Sequence, residues 1–492
     1  MHLSLLLDMA ADAMGDRRAV TAPEGELTFA ELRDAAVTAA GVLGEPGGRT
    51  VQLGVNSLAV PIALLAASQA GTAFTPLNYR LADADLRRIA ERAAPAVAIV
   101  DDDMVSRLDG VDGLEIITRS ELLKGVTGGD VVTIPETEDV LVMLFTSGTT
   151  GEPKAALLRH RHVTSYVFAT LDFASADEEE AALVSVPPYH IAGISSITSS
   201  MYVGRRVVYL PAFTPEAWVA AAAAESITHA MVVPTMLGRV LDVIEATGTS
   251  LPALRHLSYG GGRMPVEVIE RALTLLPGVD FVNAYGLTET SSTLSVLGPD
   301  DHREAIGSDD PAVRRRLGSV GRPHGAVEVS IRDPFGIEVE PGQSGEIWVR
   351  GDQVSGEYAG KADTLADGWF PTRDGGWIDE GGYLFVEGRL DDVIVRGGEN
   401  ISPGEIEDVI RTYESVVDVA VVGISSREWG EDIVAFVVTT DPAPDESAVQ
   451  DYVRARLRSS KVPARVEFRD ELPYNETGKL LRRILKAEAA PL

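Results

Sequence analysis

LVMLFTSGTTGEPKAALLRH, residues 141–160, decides how this chain folds. A continuous apolar run ends at Phe145 and passes into Thr146-Ser147-Gly148-Thr149-Thr150-Gly151-Glu152-Pro153-Lys154. The first part is a strand covered on both faces, as strands of parallel sheets are. The second concentrates hydroxyls, backbone N–H groups freed by glycine, and one lysine, which is the chemistry that holds a polyphosphate. It is not a Walker A loop, which has four residues between its glycines and Lys-Ser/Thr directly after the second. Here two residues separate Gly148 from Gly151, and Lys154 follows three later. A Ser/Thr/Gly run alone is an ordinary turn; the trailing lysine sets this one apart.

On either side of the loop, β-rich runs recur: ALVSV, RVVYL, HAMVV, LRHLSY and DFVNAY. Helical patterns such as DADLRRIAERA, PEAWVAAAAAE and PVEVIERALTLL alternate with them, so the first three-quarters predicts α/β architecture rich in parallel sheet. After about residue 318, VEVSIRD, GEIWVRG and GYLFVEGR follow one another with little helix, which predicts an antiparallel, β-barrel-like subdomain. From about residue 390, strands alternate with helices around PGEIEDVIRTY and SAVQDYVRARLRSS, a small α+β domain. The polar joint GRLDD, 388–392, divides the two. The expected organisation is 1–388, a hinge at 389–392, and 393–492.

The 492 residues exceed what one hydrophobic core covers. No apolar run reaches the roughly 20 residues that span a bilayer, and the start, MHLSLLLDMAADAM, is expected to be a short amphipathic helix rather than a signal peptide. Cysteine is absent, which excludes disulfides and thiolate metal sites and suits the cytoplasm. Any thiol chemistry then uses a partner's thiol. With 43 basic and 74 acidic residues the net charge is −31, which opposes nucleic-acid binding. The composition leaves oligomeric state open.

The phosphate loop resembles that of the adenylate-forming superfamily: acyl-CoA synthetases, nonribosomal peptide adenylation domains and luciferases. The resemblance continues in order through PPYHIAG (187–193), YGGG (259–262), NAYGLTET (283–290), GEIWVRG (345–351), TRDGGWIDEGGYLFVEGR (372–389), DDVIVRGGENISPGEIE (391–407) and NETGKLLRR (475–483). It implies a large N-terminal domain, a hinge and a mobile C-terminal domain. It also implies a two-step reaction. A carboxylic acid and ATP give acyl-AMP and pyrophosphate, and acyl-AMP and coenzyme A then give acyl-CoA and AMP, with Mg²⁺ assisting. Adenylation turns the acid's poor oxide leaving group into AMP, and because both reactants are anionic the site must supply positive charge and fixed donors.

Carried over residue by residue, the resemblance makes Lys479 the adenylation lysine, bridging carboxylate and α-phosphate. Glu289, with Thr146, is a magnesium ligand, and Thr288 binds the α-phosphate. Thr146, Ser147, Gly148, Thr149, Thr150, Gly151 and Lys154 cradle the phosphates. Tyr285, followed by Gly286, stacks on one face of adenine, with Gly260, Gly261 and Gly262 against the other. Asp374 and Arg389 hold the ribose hydroxyls, and Val386 is an apolar wall near the base. His190 lies beside the acyl carboxylate. Asp391 is the hinge, and Gly397, Gly398 and Glu399 line the pantetheine tunnel. Arg482 and Arg483 are either phosphate contacts or exposed.

The run HIAGIS carries no aspartate to hold an ammonium, which argues against an ordinary amino-acid substrate. The glycines at 260–262 leave space for a medium, long or bulky acyl group, and Arg263 is open to the substrate, the CoA phosphates or water. The alternatives are transfer to a carrier-protein phosphopantetheine, for which no carrier domain is expected after Leu492; luciferase-type oxidation, although no terminal SKL is present; and a catalytically inactive nucleotide-binding regulator.

Overall fold

The computed structural model describes residues 2–43, 47–125, 139–146, 153–361, 364–397, 399–440, 442–474 and 480–489. Four sheets organise these residues. The largest has nine strands, of which six run parallel: Asp280–Leu287, His256–Gly260, His229–Val232, Ala181–Val184, Arg206–Tyr209 and Arg18–Ala22, in that spatial order. The second has seven strands, and its parallel centre runs Val140–Thr146, Ala73–Pro76, Arg49–Leu53, Ala96–Val100 and Leu114–Thr118. Lys154–Arg159 pairs antiparallel with Val140–Thr146, and Glu357–Tyr358 adds an edge beyond it.

The strand that enters the phosphate loop is buried on both faces, as its unbroken apolar run requires. Leu141, Val142 and Leu144 join the core shared with the N-terminal helices, and Met143 points into a second core under helix Asp83–Ala93. That helix carries Asp83 and Asp85 in its first turn and buries Leu86, Ile89, Ala90 and Ala93, the spacing of one helical face. The N-terminal segment is the helix Leu3–Met14, and its apolar stripe of Leu3, Leu6, Leu7, Ala10 and Ala11 is buried in the main core.

The barrel-like part expected after residue 318 is a four-stranded antiparallel sheet, Glu328–Arg332, Gly345–Arg350, Phe370–Ile378 and Leu384–Arg389. One turn, Leu390–Asp392, joins it to the small α+β unit. There Val416–Ser426 and Gly430–Thr439 form a long hairpin covered by helices Pro403–Arg411 and Glu446–Arg454, with a core of its own around Ile406, Val421 and Val453. Among the described residues, polar contacts tie this unit to the large body. Ser402 Oγ donates to the Glu387 carbonyl at 3.1 Å, and Arg263 pairs with Asp408. Arg263 is thus an exposed side chain whose guanidinium pairs with the small unit.

His160 and His162 open the helix His160–Thr170 and are both buried. The Leu3 N–H donates to His160 Nδ1 and the Arg159 N–H to His162 Nδ1, each at 3.1 Å, so both rings are held neutral. Burial lowers each pKa from 6.5 to about 4. Between those values the unfolded chain binds protons that the folded chain refuses. Stability is therefore complete above about pH 6.5 and is lost as pH falls towards 4, by up to about 1.4 kcal/mol per unit for each ring. Calorimetry at pH 7 and pH 5 is expected to show a lower melting temperature at pH 5. Replacing both histidines with glutamine is expected to shrink that difference.

Candidate active site

The phosphate loop is anchored at both ends. Thr146 and Lys154 form the last rung of their ladder, and Thr146 Oγ1 donates to the Lys154 carbonyl at 3.4 Å. Arg92 grips the same two flanks: its guanidinium lies 5.1 Å over the Phe145 ring, and Nη1 donates to the Pro153 carbonyl at 2.7 Å. Ser147, Gly148, Thr149, Thr150 and Gly151 lie outside the described residues, as do Gly398 and Lys479.

Lys154 projects over the ring of Tyr358, 5.7 Å from its centre. The hydroxyl of that tyrosine donates to Glu289 Oε1 at 2.5 Å. Glu289 occupies the single turn Thr288–Thr290 at the end of strand Asp280–Leu287. The turn is cinched by Thr290 Oγ1, which accepts from the Leu287 N–H at 2.9 Å and donates to the Ser292 carbonyl at 2.8 Å. The backbone then folds back so closely over Gly286 that a Cβ there would sit 1.8 Å from the Ser292 oxygen. Ser291 and Ser292 take φ of 56° and 137°, conformations that L-residues rarely hold, beside the predicted metal ligand.

Four residues before Glu289, the Tyr285 hydroxyl donates to Asp374 Oδ2 at 2.6 Å. Arg389 Nε meets Asp374 Oδ1 at 3.0 Å, and Arg389 Nη1 donates to the Thr372 carbonyl at 2.9 Å. Asp374 and Arg389 face each other across antiparallel strands, in register. The predicted base- and ribose-binding residues thus form one hydrogen-bonded set. Burial and the Asp374 carboxylate raise the Tyr285 pKa well above its ordinary value, so the hydroxyl stays a donor. Val386 packs into the same apolar cluster as Tyr285.

Gly260 lies where its strand pairs with Ala284, and a Cβ there would come within 2.2 Å of the Ala284 oxygen. Gly261 has φ +78°, and among the described residues only Pro234 comes within 4 Å of where a Cβ on Gly262 would sit, at 3.8 Å. The strip is bare backbone beside the Tyr285 strand. His190 caps the helix Ile191–Val203, with the Tyr189 ring 4.6 Å from its own. Burial first, and Arg80 second, lower its pKa to about 4, so it is neutral at pH 7. Gly397 and Glu399 lie in the small unit, and the Gly397 N–H donates to the Trp429 carbonyl at 2.8 Å. Asp391 accepts from Arg373 at 3.1 Å within the joining turn.

Among the described residues no group of three or more His, Asp or Glu side chains is placed to hold a metal by itself. One carboxylate with a nearby hydroxyl suits Mg²⁺, whose remaining ligands are ordinarily phosphate oxygens and water.

The family model for AMP-binding enzymes matches residues 7–359, and that for their C-terminal domain matches residues 405–479. This chain belongs to the AMP-binding enzyme family. A feruloyl-CoA synthase of Amycolatopsis sp is 33% identical over 93% of this chain and 92% of its own. A fatty acid–[acyl-carrier-protein] ligase of Streptomyces coeruleorubidus is 32% identical over 92% and 88%. Among solved structures, ATP-bound MatB from Rhodopseudomonas palustris aligns with a TM-score of 0.88 at 26% identity, covering 99% of both chains. The o-succinylbenzoate CoA synthetase of Bacillus subtilis, in complex with its acyl-adenylate, aligns at 0.86 and 27%, over 99% and 98%. The relatives are named as ligases of carboxylic acids to thiols, and the same Bacillus subtilis synthetase is also solved in complex with ATP and magnesium ion. No helix among its described residues is long and apolar enough to cross a membrane.

Tyr358, Arg92 and Gln353 escaped the sequence reading. Each acts across a large sequence separation, and GEYAGK, the context of Tyr358, carries no local pattern that singles it out.

Proposed function

We propose that this enzyme activates a bulky hydrophobic carboxylic acid, aryl or long-chain, and passes it to coenzyme A in the cytoplasm. The observation that carries the nucleotide half is the order of groups along one strand and turn. Tyr285, tied to Asp374 and Arg389, lies four residues before Glu289, and Glu289 is joined through Tyr358 to Lys154. Base, ribose, metal and phosphate partners follow one another as they do in a nucleotide. A carboxylate oxygen bonds to the α-phosphorus, the bond to the bridging oxygen breaks, and pyrophosphate leaves. Lys154, Thr288 and Lys479 meet the negative charge that shifts during this exchange. Glu289, with Thr146, would hold Mg²⁺, which would supply neutralisation of the phosphate charge. Neutral His190 positions the acid by packing and hydrogen bonding rather than by charge.

The acid-free run Ile191–Ser195 supports an acyl group without an ammonium, and the bare strip Gly260–Gly262 supports a bulky one. Relatives named for ferulic and indoleacetic acids point the same way. Pyrophosphate exchange over a panel of acids is expected to proceed with aryl and long-chain acids and to fail with acetate and amino acids. A second reading, transfer to a carrier protein, is favoured by the 32% identical fatty acid–[acyl-carrier-protein] ligase. Supplying acyl-AMP with either CoA or a holo carrier protein separates the two.

The turn Leu390–Asp392, with Asp391 at its centre, serves as the hinge between residues 1–388 and 393–492. It lets Lys479 and the Gly397-Gly398-Glu399 segment take turns at the site. Glu289→Gln removes one anionic ligand and is expected to raise the Mg²⁺ needed for half-maximal exchange about tenfold. An unchanged magnesium titration would place the metal elsewhere.

A further inference from the structure

We propose that Tyr358 is a positioning residue that aims both the metal ligand and the phosphate-loop lysine, Glu289 through its hydroxyl and Lys154 through its ring. The proposal rests on the reading of Glu289 as the magnesium ligand. The hydroxyl donates to Oε1 at 2.5 Å, which fixes the carboxylate's rotation and leaves Oε2 for the cation. The ammonium of Lys154 lies on the opposite part of the same side chain, 5.7 Å from the ring centre, where the aromatic face attracts a cation. One tyrosine thus sets the spacing between a cation donor and an anionic metal ligand that must grip one polyphosphate.

The segment carrying Tyr358 is fixed from both sides. Glu357 and Tyr358 pair with Leu157 and Ala156 of the strand leaving the phosphate loop. Glu357 takes two bonds from Arg159, at 2.8 and 2.7 Å. On the other side the Ser355 N–H donates to the Glu289 carbonyl at 2.8 Å. Gln353 Nε2 donates to the carbonyls of Thr290 at 2.9 Å and Thr293 at 2.8 Å. This segment therefore stitches the metal-ligand turn to the phosphate-loop strand, with Tyr358 at the seam. Donors behind a metal ligand commonly change metal affinity 10–100-fold when removed.

The test measures equilibrium binding without turnover: ATP in EDTA by calorimetry, and Mn²⁺ with ATP by electron paramagnetic resonance. In Tyr358→Phe, which keeps the ring, Mn²⁺ affinity in the presence of ATP is expected to fall about tenfold, with metal-free ATP binding unchanged. In Tyr358→Leu, metal-free ATP binding is expected to weaken as well, because Lys154 loses its platform. In a Glu289→Gln background, Tyr358→Phe is expected to add no further loss of Mn²⁺ affinity. The ratio of metal-bound to metal-free affinity is the deciding quantity, since a partly unfolded variant lowers both equally. A Tyr358→Phe protein with the parent ratio overturns the proposal if Glu289→Gln lowers Mn²⁺ affinity. If Glu289→Gln does not lower it, the reading of Glu289 as metal ligand falls instead, and the proposal with it.

Discussion

Lys479→Ala is expected to lower acid-dependent pyrophosphate exchange by about 10²–10³-fold, while thioester formation from supplied acyl-AMP stays near the parent rate. The scale is that of removing one donor aimed at developing charge. The separation follows from the chemistry. In the first half-reaction two anions must approach, and a cation between carboxylate and α-phosphate offsets their repulsion. In the second, the attacking group is a thiol or thiolate and the acyl-AMP is already made. The neighbouring Arg482 is not free to substitute. Arg482, three residues on, is bound to Glu407 at 2.5 Å and to the Val421 carbonyl at 3.3 Å, with Asp392 3.9 Å away. Those contacts place it within the small unit's own fold and beside the joining turn. Quenched-flow measurement of each half-reaction separately is the check. Equal losses in both would sink the division of labour, and a loss of only a few-fold in exchange would remove Lys479 from the adenylation step.

The strands and helices that build the sheets were legible because each has a local signature. The run at 141–145 is apolar without alternation because cores lie on both faces, and Asp83–Ala93 shows its buried face at helical spacing. The motif residues were legible through resemblance, and the structure adds what resemblance does not contain. Tyr285, Asp374 and Arg389 come from segments about ninety residues apart, and no periodicity in either shows that they form one set. Tyr358 was invisible for the same reason: its partners lie far apart in the chain, Glu289 in the turn after strand Asp280–Leu287 and Lys154 on a strand of the other large sheet. Arg263 could be read three ways from sequence because its partner, Asp408, is in the other unit. Long-range polar contacts are chosen by the fold, and a linear pattern holds no record of them.

Asp374→Ala is expected to weaken ATP and acyl-AMP together, so that both half-reactions fall, the opposite of the pattern for Lys479→Ala. Asp374 is buried, and its acceptor oxygens meet Tyr285 Oη at 2.6 Å and Arg389 Nε at 3.0 Å. The AMP moiety stays in place through both steps, so a group that holds its ribose serves both. Hydrogen bonds to a charged acceptor are worth about 1.5–3 kcal/mol each when made to a ligand, which predicts roughly a 10- to 100-fold rise in the KM for ATP. Stability should fall too, because the change strands the Tyr285 hydroxyl and Arg389 without their shared acceptor. The Arg389 side chain is 34% exposed, so water recovers part of that loss, and about 1–3 kcal/mol is the expected cost rather than the 3–5 kcal/mol of a fully buried broken pair. Thermal melting with and without saturating ATP separates the two effects. The unliganded protein should melt lower than the parent, and the stabilisation conferred by ATP should shrink as well. A variant that melts lower yet keeps the parent's ATP-induced shift would make Asp374 a purely structural anchor for Tyr285 and Arg389, with no hold on the ribose.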